Sequence, residues 1–372
     1  MNILILSWRG PGHPNAGGAE QVAHEHAKAW IKAGHNITLF TSYYFGAKEN
    51  EVLDGVEIIR KGGQIFSVHL SAFIWYLLGK HKKFDIVIDH FHGIPFFTPL
   101  YVRTGTLAVI HEVAKEVWKL NPWKKPFNII PSFLGTTFEP AVFKLLYKNI
   151  PFLTVSESTR DDLVAWGIPK KNITVIHNGV NIIYPNKIVP KDFQKIATYL
   201  GAISEDKGIF DAIKTFAEIN RKDEDWTYWI IGKGTPEYLG KTKELITNLG
   251  IESKVKYWGF VSDRKKFELL SKSFLLVNPS VREGWCLVNI ESSAVGTPVI
   301  GYDVAGMKDS VKNNQTGILV TKGDYKALAD TSLKLMMQKT KYSELSKKAV
   351  KYANKFNWEK AGKESVDLIE SL

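Results

Sequence analysis

A single cysteine, Cys286, stands among the 372 residues, so the chain can form neither an intrachain disulfide nor a cysteine-cluster metal site. That scarcity suits a reducing compartment, and the cytoplasm is the expected location. Long apolar runs are also missing. Ala72 to Leu78 is among the longest and is closed by Gly79 and Lys80, well short of the ~20 residues a spanning helix requires, so nothing is expected to cross a bilayer. The opening run Met1 to Leu6 is too short for a secretory h-region and has no basic segment before it; it reads as a first buried strand. No short-period repeat and no surplus of acid are present. The 49 Lys and Arg against 38 Asp and Glu give a net charge of +11, which favours an anionic partner, although neither half is a basic tail. With 44% hydrophobic and 12% aromatic residues the chain can bury sizeable cores, which excludes a disordered or fibrous class.

What is present is an alternation of short β-branched or apolar runs with amphipathic segments, the pattern of helices packed on a mainly parallel sheet. The fold class is α/β. Strands are expected near residues 2–6, 36–41, 85–88, 107–110, 152–155 and 173–176, then near 196–200, 227–231, 255–258, 274–277 and 298–301. Val22, Ala23, His26, Ala27, Trp30 and Ile31 share one face of a first helix that Gly34 ends. Further helices begin near Lys207, Pro236, Asp263 and Leu287, and three consecutive ones close the chain. The polar stretch from Tyr184 to Lys195, with Pro185 and Pro190, marks a linker. The expected domains are residues 1–185, residues 186–354 and a last helical segment, 355–372.

The densest chemistry lies between Asn278 and Gly306. A buried strand ends at Asn278-Pro279-Ser280, a loop carries Glu283 and Gly284, and Leu287 to Val295 can form a helix ended by Gly296. Ligands of open α/β sheets sit beyond the carboxyl ends of strands, where a helix N-terminus offers N–H groups to a phosphate. Glu283 and Glu291 are eight residues apart. Were both helical, a rise of ~1.5 Å per residue would separate them by roughly 12 Å, too far for a glycosidase pair. They fit two carboxylates serving different hydroxyls of one ligand; a solvated helix position is the alternative for Glu291.

This segment resembles the retaining glycosyltransferases of family 4 and their Glu-x7-Glu motif, through Glu283 to Leu287, Glu291, Gly296 to Ile300 and the Ala305-Gly306 turn. Other pieces agree in order: Gly17-Gly18-Ala19-Glu20 leading into the first helix, His111-Glu112, Val155 to Ser158, Asn178-Gly179-Val180, Lys207-Gly208, Gly232-Lys233-Gly234 and Phe356-Asn357-Trp358. The resemblance implies the GT-B architecture, two Rossmann-like domains facing a cleft with a C-terminal helix returning to the first. It implies an acceptor-side first domain and a second that binds a nucleotide sugar, a UDP-sugar being favoured. Glu283, His111 and Lys207 take the catalytic places. Gly17, Gly18, Lys207, Gly232, Gly234, Phe260, Arg282, Gly284, Leu287, Val288 and Glu291 take donor-binding ones. Lys207 would neutralise the diphosphate, with the Leu287, Val288, Gly17 and Gly18 amides as further donors. Glu291 would accept from ribose, Glu283 from sugar hydroxyls, and His111 would contact the transferred sugar. No cofactor and no metal are implied.

The chain departs from the family pattern in three places. Ala202 stands where an arginine usually shares the diphosphate, Cys286 where glycine is usual, and Asn181 where aspartate is frequent. Arg282 is a candidate substitute cation, and Cys286 reads as a small buried residue. Asp89, His90 and His92 end a strand and have the residue types of a zinc site; polar residues lining a strand terminus are the favoured reading. Residues 115–149 interleave Trp118, Trp123, Phe127, Ile129, Ile130, Phe133 and Phe138 with lysines, a composition suited to an anionic membrane surface and a lipid-linked acceptor. Aromatics packed beneath a loop are the alternative, and no nucleic-acid motif accompanies them. The expected function is retaining, metal-independent sugar transfer from a nucleotide sugar to a glycan or lipid-linked acceptor, at the cytoplasmic face. A catalytically silent glycan- or nucleotide-binding protein and a sugar-nucleotide epimerase are the alternatives.

Overall fold

The computed structural model describes residues 1–64, 66–91, 93–120, 128–184 and 194–372. In chain order the first part contains β1 (Asn2–Ser7), α1 (Gly18–Lys32), β2 (Asn36–Thr41), β3 (Asn50–Leu53), β4 (Val56–Arg60), α2 (Phe66–Leu78), β5 (Ile86–Phe91), β6 (Gly105–Ile110), α3 (Ile129–Val142), β7 (Phe152–Thr154), α4 (Glu157–Ala165) and β8 (Ile173–Val175). The second contains β9 (Ile196–Leu200), α5 (Ile209–Lys222), β10 (Thr227–Ile231), α6 (Pro236–Asn248), β11 (Val255–Gly259), α7 (Asp263–Lys272), β12 (Leu275–Asn278), α8 (Leu287–Ala294), β13 (Val299–Tyr302), α9 (Met307–Ser310), β14 (Gly317–Val320), α10 (Tyr325–Met337), α11 (Lys339–Ala353) and α12 (Trp358–Glu370). Two compact units result, Met1–Gly179 with Asn357–Leu372, and Val180–Phe356. The sequence placed these changes of unit near 185 and 354.

The first unit is built on an eight-stranded sheet of order β3-β4-β2-β1-β5-β6-β7-β8, parallel except for the β3–β4 pair. Every residue of β5 is buried, Asp89 and His90 included, as in a central strand covered on both faces. Ser7 of β1 lies opposite His90 of β5, and His90 opposite Val109 of β6, so three strands end at one level. The last helix returns to this unit: Ala361 and Ile369 of α12 join the core containing Trp30 of α1, whose indole N–H donates to Ser365 Oγ at 3.0 Å. The β3–β4 hairpin, absent from the sequence expectation, turns through Asp54 and Gly55 at φ 49° and 84°, the left-handed pair that a tight two-residue hairpin uses.

Helix 129–147, which joins α3 to a π turn, is long and apolar enough by length and composition to cross a bilayer, and little of it is buried. Pro131, Gly135, Glu139 and Lys144 interrupt its apolar runs, so it did not stand out in the sequence. One face is nevertheless tied to the unit, because buried Glu139 accepts from the Ala114 amide at 3.0 Å and from the Trp118 indole at 2.8 Å.

The second unit carries a six-stranded parallel sheet, β11-β10-β9-β12-β13-β14. Ile209, Ala212, Ile213, Phe216 and Ile219 form the buried stripe of α5, the spacing an amphipathic helix requires. β14 is a four-residue edge strand that the sequence alternation did not separate from its flanking turns.

Candidate functional site

In the second unit the loops after β9, β10, β11, β12 and β13 leave the same end of a parallel sheet, and the expected donor residues lie on them. Lys207 follows β9 and Glu283 follows β12; their ammonium and carboxylate meet at 3.0 Å. The loops holding them are pressed together. A Cβ on Gly208, at φ 71°, would fall 2.0 Å from the Pro279 carbonyl oxygen, and one on Gly306, at φ 75°, 2.1 Å from the Glu283 carbonyl oxygen. Only glycine meets both the close approach and the left-handed backbone. The Val281 amide donates to the Asp206 carbonyl at 2.9 Å and the Glu283 amide to the Ala305 carbonyl at 3.1 Å, completing the clamp.

Glu283 is held further by groups the sequence reading did not assign. Ser280 Oγ lies 2.8 Å from Glu283 Oε1 and 2.7 Å from Asn278 Oδ1, and the Asn278 amide group donates to Asn289 Oδ1 at 2.8 Å. The strand end Asn278-Pro279-Ser280 was visible in sequence; its bond to Glu283 depends on the loop folding back. Cys286 is buried, at φ 60°, with Asn278 Nδ2 at 3.0 Å from Sγ. Burial pushes its thiol well above the ordinary range, so it is no ready nucleophile.

Gly284 is buried in the same loop, and α8 begins immediately after, so Leu287 and Val288 contribute first-turn amides that have no acceptor within the helix. Glu283 lies in the loop before α8, so the helical rise does not set its separation from Glu291. Glu291 is on α8 with its carboxylate 2.6 Å from Lys266 of α7, which also reaches Asp263 at 2.9 Å. Burial raises the Glu291 carboxyl above its usual range although Lys266 pulls it down. Lys266 had no signal in sequence, because its partner is reached only by packing of α7 on α8. Gly232 and Gly234 form the turn after β10, where the Ile203 amide donates to the Lys233 carbonyl at 2.8 Å. Phe260 follows β11 with 79% of its surface exposed. Arg282 is buried beside Glu283 in sequence, and Ala202 is exposed.

In the first unit His111 follows β6 and is buried. Its Nε2 lies 2.9 Å from Nε2 of His90, whose Nδ1 lies 2.9 Å from Ser7 Oγ. Gly17 and Gly18 open α1, but the Gly17 amide donates to Glu20 Oε2 at 2.7 Å. This is a capping contact at the start of α1. Glu20 is fixed in turn by Arg9 at 2.9 Å.

Asp89 is not arranged as a metal ligand. Its buried carboxylate accepts from the Tyr147 hydroxyl at 2.5 Å, Thr98 Oγ1 at 2.8 Å and the Phe96 amide at 3.0 Å. His92, Trp123, Lys124, Lys125 and Phe127 lie outside the described residues. Trp118, read as an interfacial ring, is half-buried and packs on helix 129–147: a Cβ on Gly135 would fall 2.1 Å from its ring.

Comparison with known proteins agrees with this arrangement. Residues 16–183 match the family described as Glycosyltransferase Family 4, and residues 182–356 match Glycosyl transferases group 1. An uncharacterised glycosyltransferase of Methanocaldococcus jannaschii is 27% identical over 344 residues, covering 86% of this chain and 85% of its own. The capsular polysaccharide biosynthesis glycosyltransferase CapM of Staphylococcus aureus is 32% identical over 200 residues, covering 50% of this chain and 51% of its own. Among solved structures, HepE of Anabaena in complex with UDP and glucose aligns over the whole of both chains with a TM-score of 0.74 at 19% identity. The two matched families account for the chain from residue 16 to residue 356, and with two parallel α/β sheets and a last helix returned to the first unit, the chain has the GT-B fold and belongs to the family 4 glycosyltransferases.

Proposed function

We propose that this glycosyltransferase moves a sugar, with retention, from a UDP-sugar to a glycan or lipid-linked acceptor in cell-surface polysaccharide or glycolipid synthesis. The contact between Lys207 and Glu283 carries the reading, since it puts a cation and a carboxylate together where strand ends and the start of α8 converge. In this reading Lys207 neutralises the diphosphate as its bond to the anomeric carbon loosens, which is electrostatic stabilisation of a leaving group. Glu283 accepts from sugar hydroxyls and faces the positive charge that develops on the ring. Glu291 takes the ribose hydroxyls, with Lys266 giving way to them, and His111 meets the transferred sugar. Gly17, Gly18, Gly232, Gly234, Phe260, Arg282, Gly284, Leu287 and Val288 complete the donor surface. Helix-end amides and basic side chains supply the charge compensation, so the transfer runs without a metal. A panel of UDP-, GDP- and ADP-sugars scored by thermal shift and donor hydrolysis tests this: stabilisation by the UDP compounds with slow hydrolysis is expected. A preference for another base overturns the donor assignment, and binding without hydrolysis or transfer favours the silent alternative.

The exposed apolar surface of the first unit favours attachment to an anionic membrane. Along helix 129–147, Ile129, Ile130, Phe133, Phe138 and Leu145 are each more than half exposed, and Lys119, Lys144 and Lys148 are exposed nearby in sequence. On α2, Phe66, Leu70 and Leu78 are equally bare. Exposed apolar side chains along a helix with lysines near them in sequence are what an interfacial element needs. Liposome sedimentation should show binding that rises with anionic lipid and falls with salt, and Ile129, Ile130, Phe133 and Leu145 changed together to Ser should abolish it. Equal binding to neutral and anionic vesicles, or none to either, removes the membrane from the reading.

A further inference from the structure

The loop that joins β1 to α1, residues 8–17, carries Gly10, Pro11, Gly12 and Pro14 and has no hydrophobic period, so neither a helix nor a strand ladder can give it a path. Its own turns are closed by the His13 amide on the Gly10 carbonyl at 3.2 Å and the Ala16 amide on the His13 carbonyl at 2.8 Å. Where those turns sit is set from outside the loop, chiefly by an arginine of another strand.

Arg60 closes β4 opposite Thr41 of β2, and 1% of its side chain is exposed. Its guanidinium joins three segments. Nη1 donates to the Lys48 carbonyl at 2.9 Å, and Nη2 to Glu51 Oε1 at 2.5 Å and to the Pro11 carbonyl at 3.3 Å. The guanidinium carbon also stands 5.4 Å from the centroid of the Tyr44 ring. Tyr44 meets the same loop, because a Cβ on Gly12 would fall 2.6 Å from its hydroxyl oxygen and its ring is edge-on to His13 with centroids 5.4 Å apart. Ser42 Oγ donates to the Trp8 carbonyl at 2.6 Å, and a Cβ on Gly10 would fall 2.9 Å from Thr41 Cγ2. From the loop the contacts run on to α1: Arg9 donates to the Asn15 carbonyl at 2.7 Å and to Glu20 Oε1 at 2.9 Å, and Glu20 Oε2 accepts from the Gly17 amide.

A planar guanidinium presents its donors as a rigid fork and can hold separate segments at fixed angles, which a single ammonium cannot. Desolvation of a buried cation offsets much of its attraction to a carboxylate such as Glu51, so its use here is to select one arrangement of the chain rather than to add stability. We infer that Arg60 is a positioning residue that fixes the path of the 8–17 loop and, through it, the first turn of α1. The hold on the loop stands on these contacts; its effect on transfer rests on the proposal above that Gly17 and Gly18 lie on the donor surface.

Hydrogen exchange in the full chain, wild type against Arg60→Lys and Arg60→Met, tests the hold. Arg60→Lys keeps a cation beside Glu51 inside the fold but cannot span the Lys48 and Pro11 carbonyls together with the carboxylate. In both variants the His13, Ala16 and Gly17 amides should exchange about tenfold faster or more while the amides of β1 and β2 keep their wild-type rates, the pattern of a local opening. Turnover of a UDP-sugar, measured on the same proteins, should fall about tenfold or more, since a misplacement of about 1 Å is worth on the order of a hundredfold. The affinity for UDP, assigned chiefly to the second unit, should stay within about twofold. Unchanged exchange of the loop amides in both variants overturns the inference. So does a loss of protection shared equally by β1 and β2, because Arg60 then holds the unit and not the loop. A loosened loop with wild-type turnover overturns the effect on transfer and removes Gly17 and Gly18 from the donor surface. Should the wild type turn over no UDP-sugar, the donor proposal falls and the exchange result alone upholds or overturns the hold on the loop.

Discussion

At the strand ends of the first unit the polar groups are imidazoles and a hydroxyl bonded in series, whereas at those of the second they are carboxylates and ammonium groups in pairs. Ser7, His90 and His111 use directional bonds that fix orientation. Lys207 with Glu283, and Lys266 with Glu291, hold opposite charges against each other in partly buried positions. The difference teaches how each edge can be used. A charged pair can be reopened by a ligand that carries charge of its own, such as a diphosphate, whereas a hydrogen-bonded series of buried groups fixes the orientation of its members. The first unit also holds a histidine inside its core, His26, enclosed by Trp30 and Trp358.

Acid should therefore strike the first unit harder, and this is the largest effect expected. Burial lowers the His26 pKa from 6.5 to about 4. The unfolded chain takes a proton near 6.5 and the folded one only near 4, so stability from this group is complete above 6.5 and is lost as the pH falls through that window. The loss approaches roughly 3 kcal/mol, at about 1.36 kcal/mol per pKa unit. Asp89, whose carboxyl burial raises, works in the opposite sense. The comparison is therefore between the wild type and His26→Phe by hydrogen exchange in β1 and β5 from pH 7 to 4. Protection that declines less in the variant is the expected result; identical declines remove His26 as the cause.

The next contrast is within catalysis. Glu283→Gln keeps the bond from Ser280 but removes the charge opposite Lys207, and transfer should fall at least a hundredfold, or about 2.7 kcal/mol of barrier. Lys207→Ala should lower turnover more than tenfold, above about 1.4 kcal/mol. Single-turnover measurement with a UDP-sugar decides. If both variants turn over as the wild type does, the pair at the second unit's edge is structural.

The fold was largely legible before the structure, and the reasons for the gaps are local. Central parallel strands such as β1, with Ile3 to Leu6, announce themselves as continuous apolar runs, and α1 shows its buried face and its terminal glycine. β14 has only four residues, too few for a period to emerge. α2 is apolar on its outer as well as its inner face, so periodicity could not say which side packs; Val68 and Ala72 are buried while Phe66 and Leu78 are bare. The β3–β4 hairpin did carry its Asp-Gly signal in the sequence. At the site, residue types and order placed Glu283 and Lys207 on the loops where they meet. Lys266 and Ser280 were beyond reach, since each meets its carboxylate only through helix packing or a loop folding back.

A smaller effect separates the two pairs of the second unit. Glu291→Gln should weaken nucleoside diphosphate binding by ~1 to 2 kcal/mol, the worth of a charge-assisted acceptor. Lys266→Met leaves the buried carboxylate without its cation and should lower the melting temperature, and adding Glu291→Gln to it should recover part of the loss. Calorimetry and thermal melts on the three variants give the coupling. Unchanged nucleotide affinity in Glu291→Gln would remove that residue from the donor site and leave its pair with Lys266 as a helix-to-helix tie.

The smallest effect expected is a gain. Ala202 is exposed at the turn after β9, five residues before Lys207, and the family's arginine is missing there. An arginine at this place adds a second cation toward the diphosphate, but it begins in solvent and gives up side-chain freedom when it binds. Exposed pairs contribute ~0.2 to 1 kcal/mol, so Ala202→Arg should tighten donor binding up to about fivefold at low salt, with the advantage shrinking as salt rises. The Ala202 carbonyl already accepts from the buried Tyr199 hydroxyl, so the backbone at this turn is held and the substitution changes only what projects from it. Titration of UDP into the wild type and the variant at two salt concentrations measures the gain. Equal affinities at both would show that the diphosphate does not reach this turn, and would leave charge compensation to Lys207 together with the amides that open α8.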